Sequence, residues 1–320
     1  MQGKTVLVTG ASSGIGRATA MLLASRGANV VLVARSAESL AKAEQECRAV
    51  AAAGARTMVV VADVADADSV DQMLDAAAEG FGRIDAVVHS AAVLAYGRFE
   101  DVPPDVFDTA LSVTLAGTAN TIRSTLRHFR GQDGGSLVVV GSLLGKIATP
   151  YMSSYVTAKW AVHGLVRTVQ IETRSEPGID VSLVSPGGVN TPVYRQAGTY
   201  LGWHGRPPPP VDSPERVARA VVAAVERPRR ETSVGLANPI AVLGFRVLPG
   251  VYDLLVTPLM RLGGISGDEA PASPGNVFEP QPAGNAVHGA WGRHWLRPLG
   301  AGAGAMLTGA AWLSQRAGRR

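Results

Sequence analysis

Thr5-Val6-Leu7-Val8-Thr9-Gly10-Ala11-Ser12-Ser13-Gly14-Ile15-Gly16 is a β-branched and aliphatic run that breaks into a glycine-rich turn. Thr5 to Val8 reads as a short buried strand, and Arg17 to Arg26 after the turn reads as an amphipathic helix. Strand, glycine turn and helix together place backbone N–H groups and the positive end of a helix dipole where a pyrophosphate binds. In this order Gly10 allows the tight turn, Gly14 lets the backbone approach a ligand, and Gly16 lets helix and strand pack closely. Ser12, Ser13 and Ile15 lie within the same turn and join the glycines as candidate cofactor-binding positions. A glycine triplet alone is weak evidence; here Asn29-Val-Val-Leu-Val-Ala34 follows as the next buried strand and supplies the required context.

Outward from this turn the pattern repeats. Strands are expected at Thr5–Val8, Val30–Ala34, Thr57–Ala62, Ala86–His89, Leu137–Val140, Asp180–Val184 and Thr232–Val234. Between them lie helical patterns at Glu38–Ala53, Ser69–Phe81, Pro104–Phe129, Tyr151–Ser175 and Pro214–Glu226. Repeated βα alternation implies an α/β fold of Rossmann type: a doubly wound parallel sheet of about seven strands with helices on both faces. A catalytic nucleotide-binding domain is expected over residues 1–235, with a C-terminal extension over 236–320.

A second constellation carries chemistry. Tyr155 and Lys159 are four residues apart, so on a helix they share a face one turn apart. An ammonium held that close to a phenol favours the phenolate and is expected to lower its pKa. Ser142 ends the strand Ser136-Leu-Val-Val-Val-Gly141, at the C-terminal edge where open α/β sheets bind ligands. Its hydroxyl can orient a substrate oxygen while Tyr155 moves the proton; the plainer role is to cap the next turn.

Thr9-Gly10-x-x-x-Gly14-x-Gly16, Asp63-Val64, Ser142, Tyr155-x-x-x-Lys159 and Pro186-Gly187-Gly188-Val189-Asn190-Thr191-Pro192 occur here in that order. In this the chain, from about Lys4 to Val234, resembles the short-chain dehydrogenase/reductase family, in its GxxxGxG branch. The resemblance implies Ser142, Tyr155 and Lys159 as catalytic residues, with Tyr155 and Lys159 also at the cofactor and Lys159 on the nicotinamide ribose. It further implies Asp63 and Val64 at the adenine, Ser90 and Ala91 against the cofactor, and Pro186, Gly187, Val189 and Thr191 along the nicotinamide. No metal is implied.

Two departures stand out. His89-Ser90-Ala91-Ala92 replaces the family's Asn-Asn-Ala-Gly, and Thr114 stands where the family places a fourth catalytic residue, an asparagine that binds a water in a proton relay. Thr114 offers one hydroxyl and no amide. These departures support a second reading, a regulatory or scaffolding protein that binds NADP(H) without turnover. A third, an epimerase or dehydratase, usually carries a different glycine spacing.

Charge argues for the cofactor. Ala34 occupies the end of the second strand, where NAD-preferring folds place an acid, and Arg35 follows. A guanidinium pairs with a 2′-phosphate through two hydrogen bonds, so NADP(H) is expected over NAD(H), with Arg35 as its determinant and Ser36 assisting.

At 320 residues and 46% hydrophobic, the chain can bury a Rossmann core without disulfides, and its single cysteine, Cys47, reads as a buried structural thiol. The first strand begins within a few residues of Met1, leaving no room for a cleavable signal, and a cytoplasmic enzyme is expected. The formal charge of +4 is mildly basic, but no basic patch interleaved with aromatics points to nucleic acid. Expected partners are a small alcohol or carbonyl, lipophilic if the extension touches lipid, and a second copy of the chain pairing through the long helices. Residues 194–212 read as a substrate lid, with Tyr194, Tyr200, Trp203 and His204 as candidate contacts. Leu236 to Leu262 reads as two short apolar helices that pack on the core or a second subunit, or lie at a membrane surface. Gly263 to Pro298 reads as irregular, Leu299 to Leu313 as an apolar tail, and Arg316 to Arg320 as a charged end.

Overall fold

Alternating valines, leucines and isoleucines make the strands apolar on both faces, and the computed structural model, which describes residues 1–291, buries both. Along the chain β1 (Thr5–Thr9), α1 (Gly14–Ser25), β2 (Asn29–Ala34), α2 (Ala37–Val50), β3 (Thr57–Val61), α3 (Ala67–Phe81) and β4 (Ala86–His89) form the first half. The second half contains α4 (Pro104–Leu111), α5 (Gly117–Gly131), β5 (Gly135–Val140), α6 (Ser153–Glu172), β6 (Ile179–Pro186), α7 (Val193–Gln196), α8 (Pro214–Glu226) and β7 (Glu231–Val234). The seven strands pair in parallel in the spatial order β3-β2-β1-β4-β5-β6-β7. Leu7, Val31, Val87 and Leu137 face Met73, Leu126 and Val166 on one side, whereas Val6, Leu32, Val88 and Val138 face Leu23, Leu40 and Val217 on the other. The doubly wound sheet read from the sequence is therefore present.

This order places the functional cleft. Chain direction across the sheet reverses between β1 and β4, and a crevice opens beyond their C-terminal ends. Gly10 leaves β1 there with φ +67, and a Cβ on it would lie 2.9 Å from Ala91 N, so only glycine lets the two loops approach this closely.

The helix expected over Pro104–Phe129 is not uniform: α4 and α5 are joined by a π-helical turn at Ser112–Ala116. Such a turn shifts the helix face, and it surrounds Thr114. Tyr151, expected to open the helix over Tyr151–Ser175, lies outside α6 with φ +71.

After β7 come α9 (Asn238–Val247) and α10 (Pro249–Gly263). Phe245 joins them through edge-to-face contacts to Trp160 of α6 at 6.0 Å and Tyr252 of α10 at 5.1 Å, and Tyr252 Oη donates to Ala148 O at 2.6 Å. Their outer faces leave Leu243, Leu254 and Leu262 exposed, so these helices are not absorbed into the core of the chain. No helix among the described residues is long and apolar enough to cross a membrane. Ile265–Glu269 pairs antiparallel with Trp203–Gly205 of the expected lid, a strand pair the sequence did not signal. The apolar tail Leu299–Leu313 and the charged end Arg316–Arg320 lie outside the described residues.

Candidate active site

One cavity of about 800 Å³ runs along the crevice. Its candidate nucleotide half is lined by Gly10, Ser12, Ser13, Gly14, Ile15, Arg35, Asp63, Val64, Ser90 and Ala91, with Thr191 beside Gly14, and the cavity continues past Ser142, Tyr155, Lys159, Pro186, Gly187 and Val189. All candidate cofactor and catalytic positions except Gly16 thus line one space. Gly16 sits beneath the turn, where a Cβ would overlap the Gly10 carbonyl.

Three elements position the catalytic candidates. Ser142 follows β5, its Oγ accepting from Leu144 N at 3.1 Å, so the capping role and the site role coexist in one hydroxyl. Tyr155 and Lys159 project from α6 into the same cavity as Ser142, and Lys159 Nζ lies 5.6 Å from the Tyr155 ring centroid. Lys159 is buried and donates to Val140 O at 2.9 Å.

The electrostatics correct one expectation. Burial pushes the Tyr155 phenol up to about 12, and the Ser142 hydroxyl opposes this only in part. The expected lowering by Lys159 does not appear. Burial moves the lysine itself down to about 8, which weakens the charge it can offer. Tyr155 is therefore held as a neutral phenol, a proton donor.

Residues 4–200 match the family model for short chain dehydrogenases. The chain belongs to the short-chain dehydrogenase family. It is 32% identical over 304 residues to the uncharacterized oxidoreductase YxnA of Bacillus subtilis (strain 168), covering 93% of this chain and 83% of that one. Levodione reductase superposes with TM-score 0.65 at 26% identity, over 74% of this chain and 96% of that one. An alcohol dehydrogenase from the archaeon Thermococcus sibiricus, solved with 5-hydroxy-NADP, superposes with TM-score 0.61 at 30% identity, over 72% and 95%. As a family member the chain is an oxidoreductase of a fold that binds NAD(P)(H).

Where this short-chain dehydrogenase departs from the family motifs, its hydroxyls are already engaged. Thr114 Oγ1 accepts from Val93 N at 3.2 Å and donates to Val93 O at 3.1 Å, which pins the loop after β4 to the π-helical turn. His89 is buried between Thr9 Oγ1 and Thr118 Oγ1, each 3.0 Å from a ring nitrogen. Thr118 donates to Thr114 O at 2.6 Å, so His89 Nε2 must carry the hydrogen and Nδ1 must accept from Thr9. Burial, aided by Lys159, lowers His89 to about 3 and keeps it neutral.

One site residue escaped the sequence reading. His163 Nε2 accepts from the Ser142 backbone N–H at 3.3 Å, and burial lowers its pKa to about 4. Tyr155, Lys159 and His163 are spaced by four along α6, a signal that was present in the sequence.

Of the lid candidates, Tyr194 lines the cavity, while Tyr200, Trp203 and His204 do not. Tyr200 N instead donates to Tyr96 O at 2.7 Å, and Trp203 and His204 lie on the strand paired with the extension. Arg35 lines the cavity, and its guanidinium holds the backbone of residues 276–278.

Proposed function

We propose that this short-chain dehydrogenase is an NADP(H)-dependent oxidoreductase that interconverts an alcohol and a carbonyl, with Ser142, Tyr155 and Lys159 as catalytic residues. The observation that carries this reading is the convergence of those three side chains on the cavity lined by the glycine turn. The residues fit the cofactor: Gly10 and Gly14 hold left-handed backbone at the turn, Arg35 stands at the end of β2, and Asp63 and Val64 line the cavity where the adenine would lie. When bound, the nicotinamide delivers a hydride to a carbonyl carbon or takes one from an alcohol carbon.

The chain's own residues do the rest. Ser142 orients the substrate oxygen. Tyr155, held neutral, gives its proton to that oxygen as a carbonyl is reduced, and takes it back in the reverse direction. Lys159, its own pKa lowered by burial to about 8, stands beside that ring and would hold the nicotinamide ribose.

The substrate end supports a neutral, lipophilic alcohol or ketone. Beyond Tyr155 the cavity is lined by Ile147, Ile240, Leu248, Val251, Leu255 and Met260, several of them from α9 and α10. Its charged lining residues are Arg35, Asp63, Lys159 and Arg206. Of these only Arg206 stands beside the apolar end, and its Nε and Nη2 already donate to the carbonyls of Gly263 and Leu262. An anionic substrate would have to give up its hydration against this apolar lining.

A second reading, cofactor binding without turnover, is favoured by Thr114, whose hydroxyl is closed on Val93. Tyr155→Phe separates the two. Turnover of a ketone, followed by NADPH absorbance, should vanish while NADPH binding remains; a wild-type protein that binds NADPH and reduces no carbonyl in a broad panel favours the second.

A further inference from the structure

Residues 276–291, beyond the stretch matched by the family model, lie along the nucleotide half of the cleft and satisfy its hydrogen-bond donors. Arg35 Nη1 donates to Phe278 O at 2.9 Å and Val277 O at 3.4 Å, and Nη2 donates to Asn276 O at 2.8 Å. The Gly14 N–H, at the start of α1, donates to Ala286 O at 2.8 Å. Asn285 fastens the segment between these two points: Nδ2 donates to Ser39 Oγ at 2.7 Å, and Oδ1 accepts from Gln196 Nε2 at 2.9 Å. Its end is tied by Gly289 N to Asn190 O at 3.2 Å and by Trp291 N to Asn190 Oδ1 at 2.9 Å.

Guanidinium and helix N-terminus are the two kinds of donor that receive phosphate oxygens. Here both receive peptide carbonyl oxygens from one strap. We propose that residues 276–291 act as a built-in competitor of the cofactor, occupying the donors for its 2′-phosphate and pyrophosphate, so that tight NADP(H) binding requires the strap to lift. This rests on the cofactor site proposed above. A carbonyl is a neutral acceptor, and a phosphate makes shorter, charge-assisted bonds to the same donors, so the cofactor displaces the strap at a cost to its apparent affinity. NAD(H) has no group for Arg35 and leaves that part of the strap undisturbed.

Two variants of the full-length protein loosen the strap without touching Arg35 or Gly14. Asn285→Ala removes its central fastening. Gly289→Val places a Cβ 2.5 Å from Thr191 O, which pushes the end of the strap outward. By titration of nucleotide fluorescence, NADPH should bind about fivefold more tightly to either variant, and NADH should gain less. Hydrogen exchange of residues 276–291 in the wild type should rise when NADPH binds. Unchanged or weaker NADPH binding in both variants, with exchange that falls on binding, would overturn the proposal and make the strap a retaining wall. Should the wild type bind NADH and not NADPH, the cofactor assignment fails separately. Exchange of the strap with NADH then decides its role: a rise supports competition, and no rise overturns it.

Discussion

Lys159 Nζ donates to the carbonyl oxygen of Val140 at 2.9 Å, so the last residue of β5 holds the amine that stands beside Tyr155. Because burial depresses the folded-state pKa of Lys159 from 10.5 to about 8, the folded protein must bury an ammonium at any lower pH. The unfolded chain binds the extra proton between about pH 8 and 10.5, so stability is lowest below that window and rises through it. Lys159→Met removes the charge and forfeits one hydrogen bond. Calorimetry near neutral pH should show a variant about 1–2 kcal/mol more stable, melting about 3 °C higher, with the rise across the window abolished. Turnover should be lost. A destabilised variant would mean that the bond to Val140 outweighs the buried charge.

His163 is expected to act as a positioning residue through Ser142. Removing the acceptor of the Ser142 N–H leaves a partly buried donor unpaired, at a cost of about 1–3 kcal/mol. His163→Ala should lower kcat by about tenfold or more with KM little changed, and His163→Gln, which keeps an acceptor, should recover part of the loss. Since burial holds His163 near 4, no inflection from this ring should appear in the pH–rate profile between about pH 5 and 8. Equal loss in both variants would reduce His163 to packing.

Much of this site is local in sequence, and that part was legible. The strands declare themselves by apolar runs, the nucleotide turn by three glycines between strand and helix, and the Tyr155–Lys159 pair by its spacing of four. What escaped depends on distant partners. Ser142 and His163 are 21 residues apart in their hydrogen bond, and nothing in either local pattern couples them. The π-helical turn at Ser112–Ala116 interrupts a pattern that continues as helix on both sides. The strap has no periodicity to read, because its hold on Arg35 and Gly14 comes from its own backbone carbonyls. The Tyr155 pKa was misjudged because spacing reports a neighbouring charge and not the depth at which both groups are buried.

Arg35 carries the choice of cofactor in the proposed reading. Arg35→Asp should shift the ratio of NADPH to NADH kcat/KM toward NADH by about a hundredfold, the sum of one lost charge-assisted pair and one introduced repulsion. The same change also releases the carbonyls of residues 276–278, so proteolysis within the strap should speed up in the absence of nucleotide. Kinetics unchanged with both cofactors would defeat the assignment even if proteolysis speeds up.

The apolar end of the cavity makes chain length the variable to test. Each methylene buried against Ile240, Leu248, Val251 or Leu255 contributes about 0.8 kcal/mol, so kcat/KM for a series of 2-ketones should rise about fourfold per added carbon until the arm is filled. Gly244 lines that arm, and a Cβ added to it meets nothing nearer than Tyr252 Cδ2 at 3.9 Å. Gly244→Trp should therefore shorten the arm, cutting kcat/KM for the longest ketones by about tenfold or more while sparing the shortest. A keto acid of matched length should be a poorer substrate because its carboxylate would lose hydration against the apolar lining. A flat dependence on chain length, or a preference for the keto acid, would show that α9 and α10 do not form the substrate site.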